Sequence, residues 1–481
     1  MMKPSIQPGT VQNIQSNDDD DDWILQANGH PSAMPRQFDW LSALGLGFSI
    51  TNSWIGYLSC FGQNLTYGGA QACIFSLIVA FAIQFLVTIG LAGLGSAYPS
   101  SGGQYHFCYI LSSSGTRYIS YIVGWLSVLG WWIVTCSGIS LAALVLNGIV
   151  SFSMDDYVAK QWQTYLTYVG VAVVTIIPVF VVSRRISVIT QISLFLSFSG
   201  YLIFFVVSLA MHKQHQPSSF ILQSGQGNSG WSHGTAWMLA VSNAMYAFGG
   251  TDGVIHICEE IPKPGRRVPQ VVMMTMVIGL VTCLSLFISP LPSIELVYQV
   301  TGSGKVTVGL FILLCVIYAM SLPSQWNGMP FSNFFSTIHG TLHFPVYTTI
   351  AAFLFSCLYG LLYLASTTAF NSIITSAVLF LNITYTVPQA LVLCYGRSSL
   401  PKRYLNLGWF GYVCNVFFIL WIFIRTVLIC MPPGIPVALN SMNYTSVVLV
   451  GIFTVINGFW FVTGRQKFEG PRIDWGRLQA S

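Results

Sequence analysis

Charge is what this chain has least of. Only 7% of its 481 residues are Asp, Glu, Lys or Arg, against about a quarter in ordinary soluble domains. No soluble fold hides an apolar fraction of 54%, so the solvent for most of the chain is a bilayer. Cys-x-x-Cys pairs are missing too. The eleven cysteines stand singly in apolar segments, which argues against a disulfide or zinc framework and reads them as small hydrophobes. Basic residues lie scattered in short loops, so there is no nucleic-acid patch. No nucleophile motif accompanies His256, the only candidate catalytic histidine, and no enzyme activity is expected. No cleavable signal peptide is expected either. The polar N-terminus carries Asp18 to Asp22 and reads as a disordered acidic tail over residues 1–38.

What the chain has in plenty is apolar runs. A helical crossing needs roughly 20 such residues. Spans are expected near 41–61, 72–95, 118–150, 164–182, 187–211, 235–258, 270–291, 306–322, 346–365, 370–395, 407–431 and 445–464. The expected fold is therefore an all-α integral membrane protein of about twelve transmembrane helices. An even number places both ends on one side, and positive residues choose which. With cytoplasmic ends, the inner loops and tails hold fifteen Lys and Arg, the outer loops hold Lys160, Lys213 and Lys305, and Arg425 lies within a span. That asymmetry predicts cytoplasmic termini, with a tail over 465–481. Arg425, near the outer end of the eleventh span, is expected to snorkel to the surface. Asn64 and Asn443 then lie outside in Asn-x-Thr sequons and are glycosylation candidates; Asn382, in a third sequon, lies inside a span and is expected to be inert.

Two spans are interrupted at matching places. The first is polar at its centre, Thr51-Asn52-Ser53, between Gly47 and Gly56. The sixth carries Phe248-Gly-Gly-Thr-Asp-Gly253. Spans one and six are corresponding members of two five-span halves, over residues 39–211 and 235–395, with residues 407–464 adding the last two spans. Paired interruptions of this kind point to a binding site at the midplane, because a freed backbone in lipid must face a cavity or a ligand. The expected substrate-binding set is Thr51, Asn52, Ser53, Trp54 and Gly56 with Phe248, Gly249, Gly250, Thr251, Asp252 and Gly253. The blander reading is two kinked helices packed on small residues. Asp252 is the only carboxylate well inside any span, and so a functional candidate. It has three open roles: binding an ammonium, carrying a coupling proton, or capping the second half-helix. His256, one turn on, either shares protons with Asp252 or faces a neighbouring helix.

The chain resembles the fungal choline, GABA and amino-acid permease group of the amino acid–polyamine–organocation superfamily. The resemblance rests on an ordered series: Thr51-Asn-Ser-Trp-Ile-Gly56, Ser96-Ala-Tyr-Pro-Ser-Ser-Gly-Gly-Gln-Tyr105, Gly250-Thr-Asp-Gly-Val-Ile-His-Ile-Cys-Glu-Glu260 and Arg267-Val-Pro269. Leu400-Pro401, Leu407-Gly408, Met442-Asn-Tyr444 and Phe468-Glu-Gly-Pro471 follow. It implies a five-plus-five inverted repeat with broken helices 1 and 6, working by alternating access. It further implies uptake of a small amine or amino acid, with protons as coupling ion, at the plasma membrane and without a cofactor or metal. Glu259, Glu260, Arg266 and Arg267 are candidates for a cytoplasmic gate, or for an ordinary charged loop.

Two departures from the family stand out. Its Glu-Leu pair before the Tyr-Pro turn is here Gly93-Leu94. Its basic stretch before Gly328-Met-Pro330 is absent, so the eighth span, Val306 to Leu322, is short. That shortening opens the alternatives of an inactive paralogue or of a sensor that binds without transporting, although the short tails argue against a sensor.

Overall fold

A computed structural model describes residues 36–112, 117–154, 156–182, 185–211, 218–288, 294–326, 346–365, 367–438, 442–471 and 473–480, with residues 25, 26 and 28. The acidic run Asp18 to Asp22 and the loop 327–345 beyond the eighth span lie outside the described residues.

All the regular structure among the described residues is helical. α1 (Trp40–Thr51) leads into α2 (Ser53–Ala97), then α3 (Gln104–Leu111), α4 (Arg117–Ser153), α5 (Gln161–Val181) and α6 (Ile186–Met211). α7 (His233–Ala244) continues as two tighter 3₁₀ windings, Met245–Phe248 and Thr251–Glu260. After them come α8 (Pro264–Ser285), α9 (Ile294–Thr301), α10 (Gly304–Ser321), α11 (Pro323–Trp326), α12 (Val346–Gly360), α13 (Leu362–Ala365), α14 (Thr367–Tyr395), α15 (Phe410–Cys430) and α16 (Thr445–Phe459).

Ten segments among these residues are long and apolar enough to cross a membrane. The first, Trp40–Ala97, is two crossings, because α2 turns back at Gly68 and Gly69, the latter at φ 69°. Across that turn Tyr57 donates to the Cys73 carbonyl at 2.5 Å and Asn64 to Ser76 Oγ at 3.4 Å. The helix over 233–260, interrupted at its middle, supplies the twelfth crossing. Early in the described chain Phe38 N–H donates to the Glu260 carbonyl at 3.1 Å, and late in it the Glu469 carbonyl accepts from the Tyr109 hydroxyl at 3.3 Å.

The bundle sorts its surfaces by solvent. α5, α6, α15 and α16 turn large apolar side chains outward, Val174, Phe195, Phe423 and Val450 among them, as a lipid-facing ring requires. The inner layer is α1 against α6 and α8, and α14 against α4 and α15. Small residues set its closeness: a Cβ on Gly45 would lie 2.6 Å from the Thr190 carbonyl oxygen, so α1 and α6 touch backbone to backbone there.

Arg425 corrects the snorkelling expectation: only 1% of it is exposed. Arg425 lies on the side of α15 that packs into the bundle rather than on its lipid-facing side. Its Nε and Nη1 have no hydrogen-bond partner, and Tyr385 is its electrostatic neighbour.

Candidate functional site

The first break is one residue wide. Asn52 adopts the left-handed conformation, φ 33° and ψ 54°, which asparagine tolerates better than most side chains. Its N–H still donates to the Phe48 carbonyl at 2.7 Å. Trp54 Nε1 donates to Ser197 Oγ at 3.1 Å, and Ser197 in turn donates to Asn52 Oδ1 at 3.0 Å. The indole N–H can only donate, so Ser197 accepts from Trp54 and turns its own proton to the Asn52 carbonyl oxygen. This leaves Asn52 Nδ2 buried with no partner.

The second break is wider. Gly249 is extended, and Gly250 stands at φ 74°. A Cβ on Gly250 would meet Ile50 Cγ2 at 3.1 Å and Trp131 at 3.4 Å, so space and backbone both demand glycine. The two breaks face each other, since a Cβ on Gly56 would lie 3.5 Å from Ala247 Cα.

Between them lies a cavity. Ser49, Ile50, Thr51, Asn52, Gly56, Tyr246, Gly249 and Gly250 contribute from the broken helices. Val134, Gly138 and Leu141 line it from α4, Tyr318, Ser321 and Gln325 from α10 and α11, and Val378, Leu381 and Asn382 from α14. No charged side chain is among them. The shortened eighth span thus still delivers two side chains to the cavity wall, and the turn after it a third.

Asp252 sits just behind that wall, fully buried. Its Oδ2 accepts from Gln104 Nε2 at 2.7 Å and Trp131 Nε1 at 3.3 Å, and faces His256 Nε2 at 3.2 Å. Its Oδ1 accepts from the Tyr385 hydroxyl at 2.5 Å. Four side chains, three of them from other elements, thus converge on one carboxylate. His256 Nδ1 lies 2.9 Å from the Ser101 carbonyl, which only accepts, so Nδ1 carries a proton. Nε2 and Oδ2 can then share one more proton, either as an ion pair or as neutral imidazole and carboxylic acid.

Of the residues expected from the sequence, Thr51, Asn52, Gly56, Gly249 and Gly250 line the cavity. Ser53, Trp54, Phe248, Thr251, Asp252 and Gly253 do not. Trp54 is buried against Tyr201 and Phe204, and Phe248 against Phe81. Thr251 pairs with Thr88 at 3.3 Å. The capping role for Asp252 fails, because Gly250 is the cap residue and no side-chain bond caps that winding. His256 meets both of its expected placements, since it faces Asp252 and also packs on Trp131 of the neighbouring α4.

Asn64 is corrected as a glycan acceptor. It is buried, with Oδ1 accepting from Asn243 at 2.8 Å, and a glycosyltransferase needs the free amide. Asn443 is half-buried and donates to the Ile429 and Met431 carbonyls at 2.6 and 2.8 Å, bonds a glycan would have to break.

The charged end of the sixth span is tied down individually. Glu259 accepts from Ser101 Oγ and Glu260 from Gln37 Nε2. Arg266 stacks over Tyr404 at 5.2 Å, and Arg267 acts electrostatically on Asp39. The Asp39 carboxyl, bonded by Ser42 through side chain and backbone, is held below the ordinary carboxylate value.

Sequence reasoning missed Gln104, Trp131, Tyr385, Tyr318, Gln325 and Asn382 as site residues. Their one local signal is polarity inside an apolar span or beside a glycine turn. Among the described residues no group of three or more His, Cys, Asp or Glu could hold a metal.

Compared with known proteins, residues 38–325 and 300–453 match the family described as amino acid permease. The chain belongs to the amino acid permease family. The match changes over within residues 300–325, where the shortened eighth span lies. A choline transporter of Saccharomyces cerevisiae is 26% identical over 471 residues, covering 90% of this chain and 82% of that protein. The transmembrane transporter swnT of Metarhizium robertsii is 27% identical, covering 94% and 96%. Amino-acid permease 2 of Neurospora crassa is 26% identical, covering 95% and 90%. This permease is accordingly a multi-pass membrane protein and a secondary transporter, not an enzyme.

Proposed function

We propose that this permease imports a small amine or amino acid across the plasma membrane by alternating access, coupled to a proton held between Asp252 and His256. The cytoplasmic face is then the one that carries both chain ends, as the fifteen-to-three distribution of positive residues asks. Residues 39–211 and 235–395 act as the two inverted halves, with the breaks in α1–α2 and α7 as their paired hinges. The observation that carries the reading is a cavity without ionised lining, walled by both breaks and carrying a few polar side chains, with a buried carboxylate–imidazole pair directly behind it.

The cavity supplies what a small zwitterion or amine needs. Two half-helices end at it with carbonyl groups and two begin at it with N–H groups, so partial charges of both signs converge without any ionised wall residue. When the shared proton leaves, the Asp252 charge is held by Gln104, Trp131 and Tyr385. Gln104 lies on α3 and Tyr385 on α14, so a change of charge at Asp252 alters the grip of two elements that pack on the moving half-helix. Ser101 and Glu259 tie the same half-helix to the cytoplasmic loop. Release of these contacts is the inward gating step.

The test is uptake of labelled GABA, alanine and choline into transport-deficient yeast, and into proteoliposomes with an imposed pH gradient. Wild type should accumulate at least one of them and lose accumulation when the gradient is collapsed. Asp252→Asn should reach the surface yet lose the gradient-driven component. Full accumulation by Asp252→Asn, or gradient-independent accumulation by wild type, removes proton coupling. No uptake of any amine or amino acid by protein at the surface removes the import reading and returns the sensor.

A further inference from the structure

No ionised side chain lines the cavity, yet its wall holds buried hydrogen-bonding atoms with no partner in the protein. Asn382 is 1% exposed, and its Nδ2 donates to the Val378 carbonyl one turn back at 2.6 Å. A carbonyl accepts only, so the amide orientation is fixed and Oδ1 is the free end. That Oδ1 has no partner. Gln325 Oε1, in the same lining on α11, has none either. Opposite in kind is Asn52, whose Nδ2 is the free end because Ser197 donates to its oxygen. Two unmet acceptors therefore stand on α11 and α14, and one unmet donor on the broken first span. A buried polar atom without a partner is expensive, and more so in a membrane interior.

We propose that Asn382 and Gln325 form the amine end of the site and select a substrate nitrogen that carries N–H bonds. The substrate class is a primary or secondary ammonium, alone or within an amino acid, and not a quaternary ammonium. This rests on the reading of the cavity as the transport site. A quaternary nitrogen is wrapped in methyl groups. It would cover both oxygens with carbon, desolvating them without a hydrogen bond, and it finds only the rings of Tyr246 and Tyr318 to face. The Tyr246 hydroxyl is already committed to Ser137 Oγ at 2.6 Å. An ammonium N–H meets both acceptors, and a carboxylate or hydroxyl at the other end meets Asn52 Nδ2. Discrimination comes from leaving the acceptors unmet, which is how a site built for hydrogen bonds rejects a ligand that lacks them.

The experiment is competition of labelled GABA or alanine uptake by methylamine, dimethylamine, tetramethylammonium and choline, in wild type, Asn382→Leu and Asn382→Asp. Wild type should be inhibited by the amines that carry N–H and taken over by tetramethylammonium or choline only at concentrations on the order of 10- to 100-fold higher. Asn382→Leu should raise the KM for amines by a similar factor and narrow that gap, while Asn382→Asp, which keeps an acceptor, should preserve it. If Asn382→Leu misfolds, Gln325→Leu provides the same readout from α11. Equal inhibition by tetramethylammonium and methylamine in wild type overturns the inference, as does an unchanged ratio in the Leu variants, while the transport reading stands. Absence of all uptake with protein at the surface overturns both. Thermal stabilisation of the purified protein by methylamine but not by tetramethylammonium is the supporting binding result.

Discussion

A carboxylate restored at position 93 should find a partner already waiting. Arg397, just past the end of α14, is 6% exposed, and its Nε has no hydrogen-bond partner. Its guanidinium lies flat on α15, where a Cβ on Gly411 would be 2.2 Å from Cζ. Its Nη2 is 3.7 Å from the position of a Cβ on Gly93. Burial, and then the charge of Arg403, pull the Arg397 guanidinium below its usual value, which is the mark of a cation lacking an anion. The permeases this chain resembles carry Glu at the position where Gly93 stands. Gly93→Asp places a carboxylate one bond beyond that Cβ, in reach of Nη2. A hydrogen bond to a charged group contributes about 1.5–3 kcal/mol, and removing glycine from a helix interior adds a few tenths to about 1 kcal/mol. Against this stands the Leu407 methyl, 3.4 Å from the new Cβ, which must yield slightly. The expected net is about 1–3 kcal/mol of stabilisation, nearly all of it dependent on the arginine. The assay is a double-mutant cycle of Gly93→Asp with Arg397→Gln, read as detergent-solubilised unfolding midpoints, with Gly93→Ala controlling for helix propensity. A coupling near zero, with Gly93→Asp equally harmful in both backgrounds, would refute the reasoning.

Three further outcomes follow from the site. Gly250→Ala forces a Cβ into a left-handed backbone and against Ile50, so it should cost about 1–2 kcal/mol and lower the uptake rate more than it lowers surface expression. Tyr385→Phe removes the donor to Asp252 Oδ1 and should lower the gradient-driven part of uptake more than it lowers surface expression; unchanged gradient-driven uptake excludes Tyr385 from the coupling. Asn64→Gln should leave the electrophoretic mobility of the expressed protein unchanged after glycosidase treatment, because the Asn64 amide is buried between α2 and α7.

The two breaks were legible because their cause is local. Asn52 and Gly250 occupy left-handed backbone that few other residues adopt without strain, and such residues at the middle of an apolar run announce themselves. The partners of Asp252 were not legible, because nothing local records them: Gln104, Trp131 and Tyr385 come from three separate elements and meet only in three dimensions. Asn382 shows the same limit. In sequence it is one member of an inert sequon; only its bond to Val378 and its place on the cavity wall give its oxygen a direction. Arg425 was misplaced for a further reason. Snorkelling considers how far a side chain reaches and ignores which side of the helix packs into the protein.

The arrangement also bears on how substrate and proton can feel each other across a neutral wall. Asn382 and Tyr385 lie three residues apart on α14, one bordering the cavity and the other bonded to Asp252. Gly250, in the wall itself, is two residues from Asp252. Any ligand drawn to Asn382 therefore pulls on the same helical turn whose hydroxyl holds the carboxylate, and any rotation of the half-helix that moves Asp252 moves the cavity wall. No through-space charge interaction is needed. On the proposed reading coupling is mechanical, carried by one rigid turn of α14 and one flexible turn at Gly249 and Gly250. It should weaken far more on loosening α14 between residues 382 and 385 than on changing any lipid-facing residue of the bundle.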